Sequence, residues 1–294
     1  MATTEVHAER EGPPMRSVLV TGASTGIGRA TTAALVAARF HVWATVRRPD
    51  DAASLRADHG DAVTPLLLDI TDDDAVRAAG NEVRAAGPLY ALVNNAGAAL
   101  PGPLEHLPLD VLRRQLEVNL VAQLGVTQAM LPALRASRDI GQDARIVMIG
   151  SIGGRIAGPV LGAYSAAKFG LVGLTGSLRA ELAPSGIRVL LVEPGAIATP
   201  IWSRGASAGQ EVADGMPPEA LARYRAQIDH ALENARRSAV RGAPPERVAD
   251  VVVRALLDRN PAPRRVVGRD ARIAAAMVRV LPHRAVARLT AARR

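Results

Sequence analysis

Tyr164 and Lys168 stand four residues apart in "AYSAAKFG", and on a helix that spacing puts both side chains on one face, one turn apart. A phenol hydroxyl can give or take a proton at a reacting oxygen, but its ordinary pKa of about 10 makes it a weak base near neutrality. A fixed cation within a few ångströms favours the phenolate and lowers that value. Lys168 is also the sole lysine among 36 Lys and Arg residues. An ammonium is a compact point charge on a flexible stem, whereas a guanidinium is planar and bulky, so this position calls for reach as well as charge. The pair reads as an acid/base tyrosine with a cationic modulator. Alone, Y-x-x-x-K also describes a tyrosine at a helix edge beside a solvated lysine; the surroundings decide. Ser151, in "IVMIGSIGG", follows a strand-like run, and its hydroxyl would bond an oxygen on which charge develops. Asn119 sits in a helical run, where asparagine is intrinsically unfavourable and calls for a reason.

These side chains must be positioned by something, and short β-branched runs supply it: "SVLV" at 17–20, "HVWATV" at 41–46, "VTPLLL" at 63–68 and "LYALVN" at 89–94. "RIVMIG" at 145–150, "IRVLLVE" at 187–193 and "RRVVG" at 264–268 complete a set of about seven. The runs are continuous rather than alternating, which predicts a sheet covered on both faces. Helical stretches separate them, one spanning about Asp110 to Arg135. Strict alternation of strand and helix predicts a single-domain, Rossmann-type, doubly wound parallel α/β sheet with helices on both faces. The domain is expected over 16–268, with 1–15 a polar, disordered leader and 269–294 a basic helical tail. Residues 200–243 break the rhythm, and an insertion at the carboxyl edge of such a sheet predicts a ligand lid.

"VLVTGASTGIGRA" puts a glycine cluster at the turn from the first strand into the first helix. Gly22 permits the tight turn, Gly26 lets the backbone approach a diphosphate, and Gly28 lets helix and strand pack closely. The end of the second strand then says which dinucleotide. An acid there would bond a ribose 2′-hydroxyl and repel a 2′-phosphate. The chain instead reads "ATVRRPD", with Val46 followed by Arg47 and Arg48, whose guanidinium groups would grip a phosphate. NADP(H) is therefore expected over NAD(H).

"TGASTGIG", "LLLDIT", "NNAG", the Asn of "EVNL", the Ser after strand five, "YSAAK" and "EPGAIAT" stand in the order and spacing of the short-chain dehydrogenase/reductase family, which the chain resembles over roughly residues 16–200. The resemblance implies a diphosphate turn of Gly22, Ser24, Thr25, Gly26, Ile27 and Gly28. It places Asp69 and Ile70 beside the adenine, and Asn95, Ala96 and Gly97 along the cofactor. It makes Pro194, Gly195, Ile197 and Thr199 the loop that holds the nicotinamide carboxamide. It implies Tyr164 as acid/base, Lys168 as pKa modulator and ribose anchor, Ser151 as oxyanion partner, and Asn119 as support for a water beside the lysine. The activity implied is hydride transfer between alcohol and ketone or aldehyde. An NAD-dependent member of the family and a non-catalytic dinucleotide sensor are the alternatives.

Composition narrows the setting. Hydrophobic residues make up 48% of the chain but aromatics only 2%, so Ala, Val, Leu and Ile must build the core. With no cysteine there is neither disulfide nor thiolate metal site, which suits a reducing cytoplasm, and the scattered histidines offer no zinc spacing. A metal-independent reaction is expected. No apolar run reaches the roughly 18 residues of a spanning helix. Leu100, Ile152, Val160, Leu161, Ile201 and Trp202 fall where a substrate would lie and point to a hydrophobic alcohol or ketone. "GGRIAGPVLGAYSAAKFG" and "VVGRDA" resemble the branch acting on steroid-like and retinoid-like compounds. The net charge of +8 resides in residues 264–294, where nine arginines face one acid, Asp270. Such a tail would cover the substrate opening, pack on a sister subunit of a dimer or tetramer, or lie on an anionic membrane. It carries no nucleic-acid-binding motif.

Overall fold

A computed structural model describes residues 15–290. Residues 1–14 of the expected leader and 291–294 of the basic tail lie outside the described residues. The strands are β1 (Ser17–Val20), β2 (His41–Val46), β3 (Val63–Leu67), β4 (Leu89–Asn94), β5 (Ala144–Ile149), β6 (Ile187–Pro194) and β7 (Arg264–Val267). All pair parallel in one sheet ordered β3-β2-β1-β4-β5-β6-β7. The helices are α1 (Gly26–Ala37), α2 (Pro49–His59), α3 (Asp73–Ala86), α4 (Leu109–Leu116), α5 (Ala122–Asp139), α6 (Gly162–Leu182), α7 (Ile201–Asp214), α8 (Pro218–Arg241), α9 (Glu246–Leu257), α10 (Arg269–Val280) and α11 (His283–Thr290).

The unbroken apolar strands follow from burial on both sides. Val18, Val20, Val42, Ala44 and Val46 point into one core with Leu35 of α1, Leu55 of α2 and Val252 of α9. The residues between them, Leu19 and Trp43, point into the other with Val83 of α3, Met130 of α5 and Leu171 of α6. Chain order reverses between β1 and β4, and in this architecture the crevice beyond the carboxyl ends of the strands at that point is the ligand site.

Three departures from the expected elements concern the site. The long helix expected from Asp110 is interrupted by a π-helical turn at Glu117–Val121, with the fully buried Asn119 inside it. The 200–243 insertion forms the helix pair α7–α8, whose inner faces close a small core of Val160, Ala213, Met216, Ala220 and Ile228. The tail is joined to the domain at its first turn: the Asp270 carboxylate accepts a hydrogen bond from the Ala196 amide at 2.8 Å, and Ala271 is fully buried. None of the helices among the described residues is long and apolar enough to cross a membrane.

Candidate active site

A cleft of about 1420 Å³ opens along the carboxyl edge of the sheet. One end lies over the β1–α1 turn. Gly22 and Gly26 adopt φ of +65° and +55°, and a Cβ on Gly22 would come within 2.9 Å of the Ala96 backbone. Gly28 lies within the first turn of α1, outside the cleft lining, where a Cβ would collide with the Gly22 carbonyl at 2.1 Å. The two roles read from these glycines, tight turn and close packing, are therefore geometric necessities of the backbone. Thr25 caps α1 without a side-chain hydrogen bond, so the helix presents its first-turn amides to the cleft. Ser24, Thr25 and Ile27 line the same wall.

Asn95 holds this turn to the sheet. Its Nδ2 donates to the carbonyls of Thr21 (2.9 Å) and Gly22 (3.2 Å), and Thr21 Oγ1 accepts from the amides of Asn95 and Ala96, both at 2.9 Å. Ala96 and Gly97 continue the wall. At the end of β2, Arg47 lines the cleft and has no ion pair or side-chain hydrogen bond among the described residues. Arg48 does not line it: as the N-cap residue of α2 it turns outward, and its guanidinium reaches Asp50 at 3.4 Å. Asp69 and Ile70 border the Arg47 side. Burial alone would raise the Asp69 carboxyl, but hydrogen bonds from Thr71 and the charges of Arg47 and Arg114 hold it below its ordinary range.

The chemical end is built by β5 and α6. Ser151 follows β5 and its Oγ accepts from the Gly153 amide at 3.0 Å. The glycines after it let this turn lie on α6: a Cβ on Gly153 would stand 3.1 Å from the Tyr164 ring, and one on Gly154 would stand 2.8 Å from the Lys168 carbonyl. Lys168 is 6% exposed, and its Nζ donates to the Ile149 carbonyl at 3.1 Å and lies 5.9 Å from the centre of the Tyr164 ring. Burial pushes the ammonium down to about 8. Burial likewise raises the Tyr164 hydroxyl, with the Ser151 hydroxyl beside it pulling the other way. The ammonium is directed at the β5 carbonyl and stands 5.9 Å from the centre of the phenol ring, and burial is the larger influence on the tyrosine. The tyrosine stays protonated, which is the form that donates a proton.

Asn119 is likewise occupied otherwise than expected. Its Oδ1 accepts from the Ala98 amide at 2.9 Å and its Nδ2 donates to the Ala98 carbonyl at 2.8 Å, leaving its main chain, in the π turn, as what it would offer a water. Two further amides that the reading of the sequence passed over flank it on the same face. Gln115 accepts from the Leu100 amide and donates to the Ala98 carbonyl, and Gln123 donates to the Ala96 carbonyl. The signal was present as amides at 115, 119 and 123, a four-residue spacing.

Pro194, Gly195, Ile197 and Thr199 form the loop opposite, all lining the cleft. Asp270 was also missed: it lies so close to Gly195 that a Cβ there would meet its carboxylate at 2.3 Å. Glu193, just before this loop, is fully buried and forked by two arginines. Arg155, at the end of the Ser151 turn, reaches it at 2.8 and 2.5 Å, and Arg264 of β7 at 2.6 and 3.1 Å. One carboxylate thereby ties the serine turn, β6 and β7 together.

Leu100, Ile152, Val160, Leu161, Ile201 and Trp202 all line the remaining, mostly apolar part of the cleft. Val160 holds φ +68°, a costly conformation for a β-branched residue. It is held there by the Gly102 amide, which donates to its carbonyl at 2.8 Å, and by its side chain in the lid core. Gln227, His230 and Asn234 of α8 and Thr290 of α11 complete the mouth. No group of three or more His, Asp or Glu among the described residues is arranged to hold a metal ion.

The Arg47 guanidinium at the end of β2, the open amides at the start of α1 and the glycine-lined approach fit a dinucleotide. The family model described as short chain dehydrogenase matches residues 16–208. An NADPH-dependent 3-dehydrocapnine reductase of Ornithobacterium rhinotracheale is 34% identical, covering 92% of this chain and 94% of its own. Retinol dehydrogenase 5 of Mus musculus is 34% identical over 92% of this chain and 86% of its own. A crystal structure of a short chain dehydrogenase from Burkholderia cenocepacia J2315 in complex with NADP superposes with a TM-score of 0.72 at 27% identity, covering 94% of this chain and 97% of that one. The chain belongs to the short-chain dehydrogenase family and is an oxidoreductase acting between alcohols and carbonyl compounds.

Proposed function

We propose that the enzyme interconverts a hydrophobic secondary alcohol and its ketone, or an aldehyde, using NADP(H) in preference to NAD(H). The observation that carries this is the meeting of Ser151, Tyr164 and Lys168 at the end of β5 inside an apolar cleft whose other end presents Arg47. The dinucleotide, when bound, supplies or accepts the hydride. The α1 amides and the Gly22–Gly28 turn would hold its diphosphate, Arg47 its 2′-phosphate, and Asp69 and Ile70 its adenine. Asn95, Ala96 and Gly97 would flank it, and the Pro194–Thr199 loop, braced by Asp270, would hold the carboxamide. Arg48 is left out of this set because its side chain is turned to Asp50.

Tyr164, held protonated by burial, gives its proton to the carbonyl oxygen in reduction and takes it back in oxidation. Ser151 donates a hydrogen bond to the same oxygen as charge develops there. Lys168 supplies positive charge beneath the phenol and reaches the ribose hydroxyls; with its pKa near 8 it carries that charge at neutral pH. Asn119 fixes the Ala98 loop with its side chain and offers its main chain to a relay water. NADPH dependence in a relative covering nearly the whole chain, and NADP in a structural neighbour, support the cofactor assignment. The retinol dehydrogenase relative and the apolar lining support a lipid-like substrate. A cytoplasmic dimer or tetramer, with α10–α11 as part lid, and residues 16–268 as the catalytic domain complete the reading. The test is a panel of apolar ketones and aldehydes, each assayed with NADPH and NADH by nicotinamide absorbance. Turnover of apolar ketones with NADPH favoured at least tenfold is expected; turnover confined to sugars or hydroxy acids, or preference for NADH, would overturn it.

A further inference from the structure

At the opposite edge of the sheet from the cleft, where β5 and β6 begin, the chain forms a second recess of about 320 Å³. Its walls carry Arg138 from the end of α5, Arg179 from α6 and Arg188 from β6, with Asp143 as the one acid. That carboxylate is already shared among three guanidinium groups: Arg145 and Arg188 at 2.9 Å each and Arg138 at 3.6 Å. Arg145 is itself only 1% exposed. Arg179 has no acid partner among the described residues and donates to the carbonyls of Val189 and Pro263, at 2.8 and 2.9 Å. Arg138 spends one nitrogen on the Gln142 carbonyl and leaves its buried Nε without a partner. Its guanidinium lies against Gly186, where a Cβ would come within 2.8 Å of Nε, so the backbone gives way to it there.

Three guanidinium groups in the walls, with Arg145 behind them on the same carboxylate, face a single acid and leave a half-buried excess of positive charge, an arrangement that costs free energy until an anion enters. The forks are suited to a tetrahedral oxyanion, and the volume exceeds that of an ion alone. We propose that this recess binds a phosphate group, free or carried on a small molecule, at a site independent of the cofactor cleft.

Thermal unfolding of the full chain tests this, with inorganic phosphate and glycerol phosphate each titrated against chloride at matched ionic strength. The expected result is a saturable rise in Tm of about 3 °C at ten times Kd. The rise should be lost in Arg138→Gln/Arg188→Gln and retained in Arg47→Ala. Whichever anion saturates at lower concentration names the source, free phosphate or a phosphorylated molecule. No saturable rise in the wild type, an equal rise in the double variant, or loss of the rise in Arg47→Ala would overturn the proposal. Should the double variant not fold, Arg138→Gln alone, which leaves Arg145 and Arg188 on Asp143, carries the same comparison.

Discussion

Replacing Lys168 by methionine should stabilise the cofactor-free protein at neutral pH even as it abolishes turnover. The ammonium is 6% exposed, and burial lowers its pKa from 10.5 to about 8. At 1.36 kcal/mol per pKa unit, holding the charge in the fold costs about 3 kcal/mol relative to the unfolded chain. Because the folded value lies below the unfolded one, the unfolded chain binds more protons between pH 8 and 10.5, and this group's contribution to stability rises with pH across that window. Below pH 8 the full penalty is present. Methionine removes the charge at similar length but leaves the Ile149 carbonyl without its 3.1 Å donor, which takes back about 1 kcal/mol. The expected gain is therefore about 2 kcal/mol at pH 7, falling away and reversing sign by about pH 10. Urea unfolding of wild type and Lys168→Met at pH 7 and pH 9.5, without cofactor, reads the difference directly, and shifts from other groups cancel in it. A variant less stable than wild type at pH 7, or a difference that does not change with pH, would refute the claim that the site holds its lysine against a desolvation penalty.

Arg47→Ala should weaken NADPH binding by roughly tenfold to a hundredfold, the worth of a charge-assisted contact, and leave NADH binding unchanged, as measured by fluorescence titration. Glu193→Gln should cost roughly 3 to 5 kcal/mol in denaturant unfolding, because Arg155 and Arg264 would lose the carboxylate both now fork. Burial would raise that carboxyl, but the two arginines hold it below the ordinary carboxylate range. Its stabilising contribution is therefore present above the ordinary carboxylate pKa and lost as pH falls through the lowered folded value, and the variant should show a flatter acid limb. Lys168→Arg should keep the charge and still lose most activity, since a planar guanidinium does not fit the pocket beneath Tyr164.

All seven strands were legible in the sequence to within about a residue: most are buried on both faces and read as near-continuous apolar runs, while β7, at the sheet edge with Arg264 and Arg265 exposed, shows itself by its paired valines. The Gly22–Gly28 turn was legible for a related reason: at Gly22 and Gly28 backbone crowding leaves no room for a side chain, so the sequence has little choice there. What could not be read was what depends on direction rather than type. Arg47 and Arg48 are adjacent and chemically identical, yet one faces the cleft and the other, at the α2 cap, faces Asp50. Asn119 was singled out for being out of place in a helix, but its partner, Ala98, lies 21 residues away and is brought to it only by the fold. Asp270 reads as the lone acid in a basic tail, while the fold sets it against Gly195 and the Ala196 amide in the cleft lining. Burial, which pushes the Tyr164 hydroxyl up and the Lys168 ammonium down, is not revealed by spacing along a helix.

The most direct measurement is the turnover of Tyr164→Phe on the best ketone substrate, paired with its affinity for NADPH. Removing one hydroxyl from a ring that otherwise keeps its place should reduce kcat by at least a hundredfold while NADPH binds nearly as to wild type. Near-normal turnover would show that another group supplies the proton and would contradict the account at its centre.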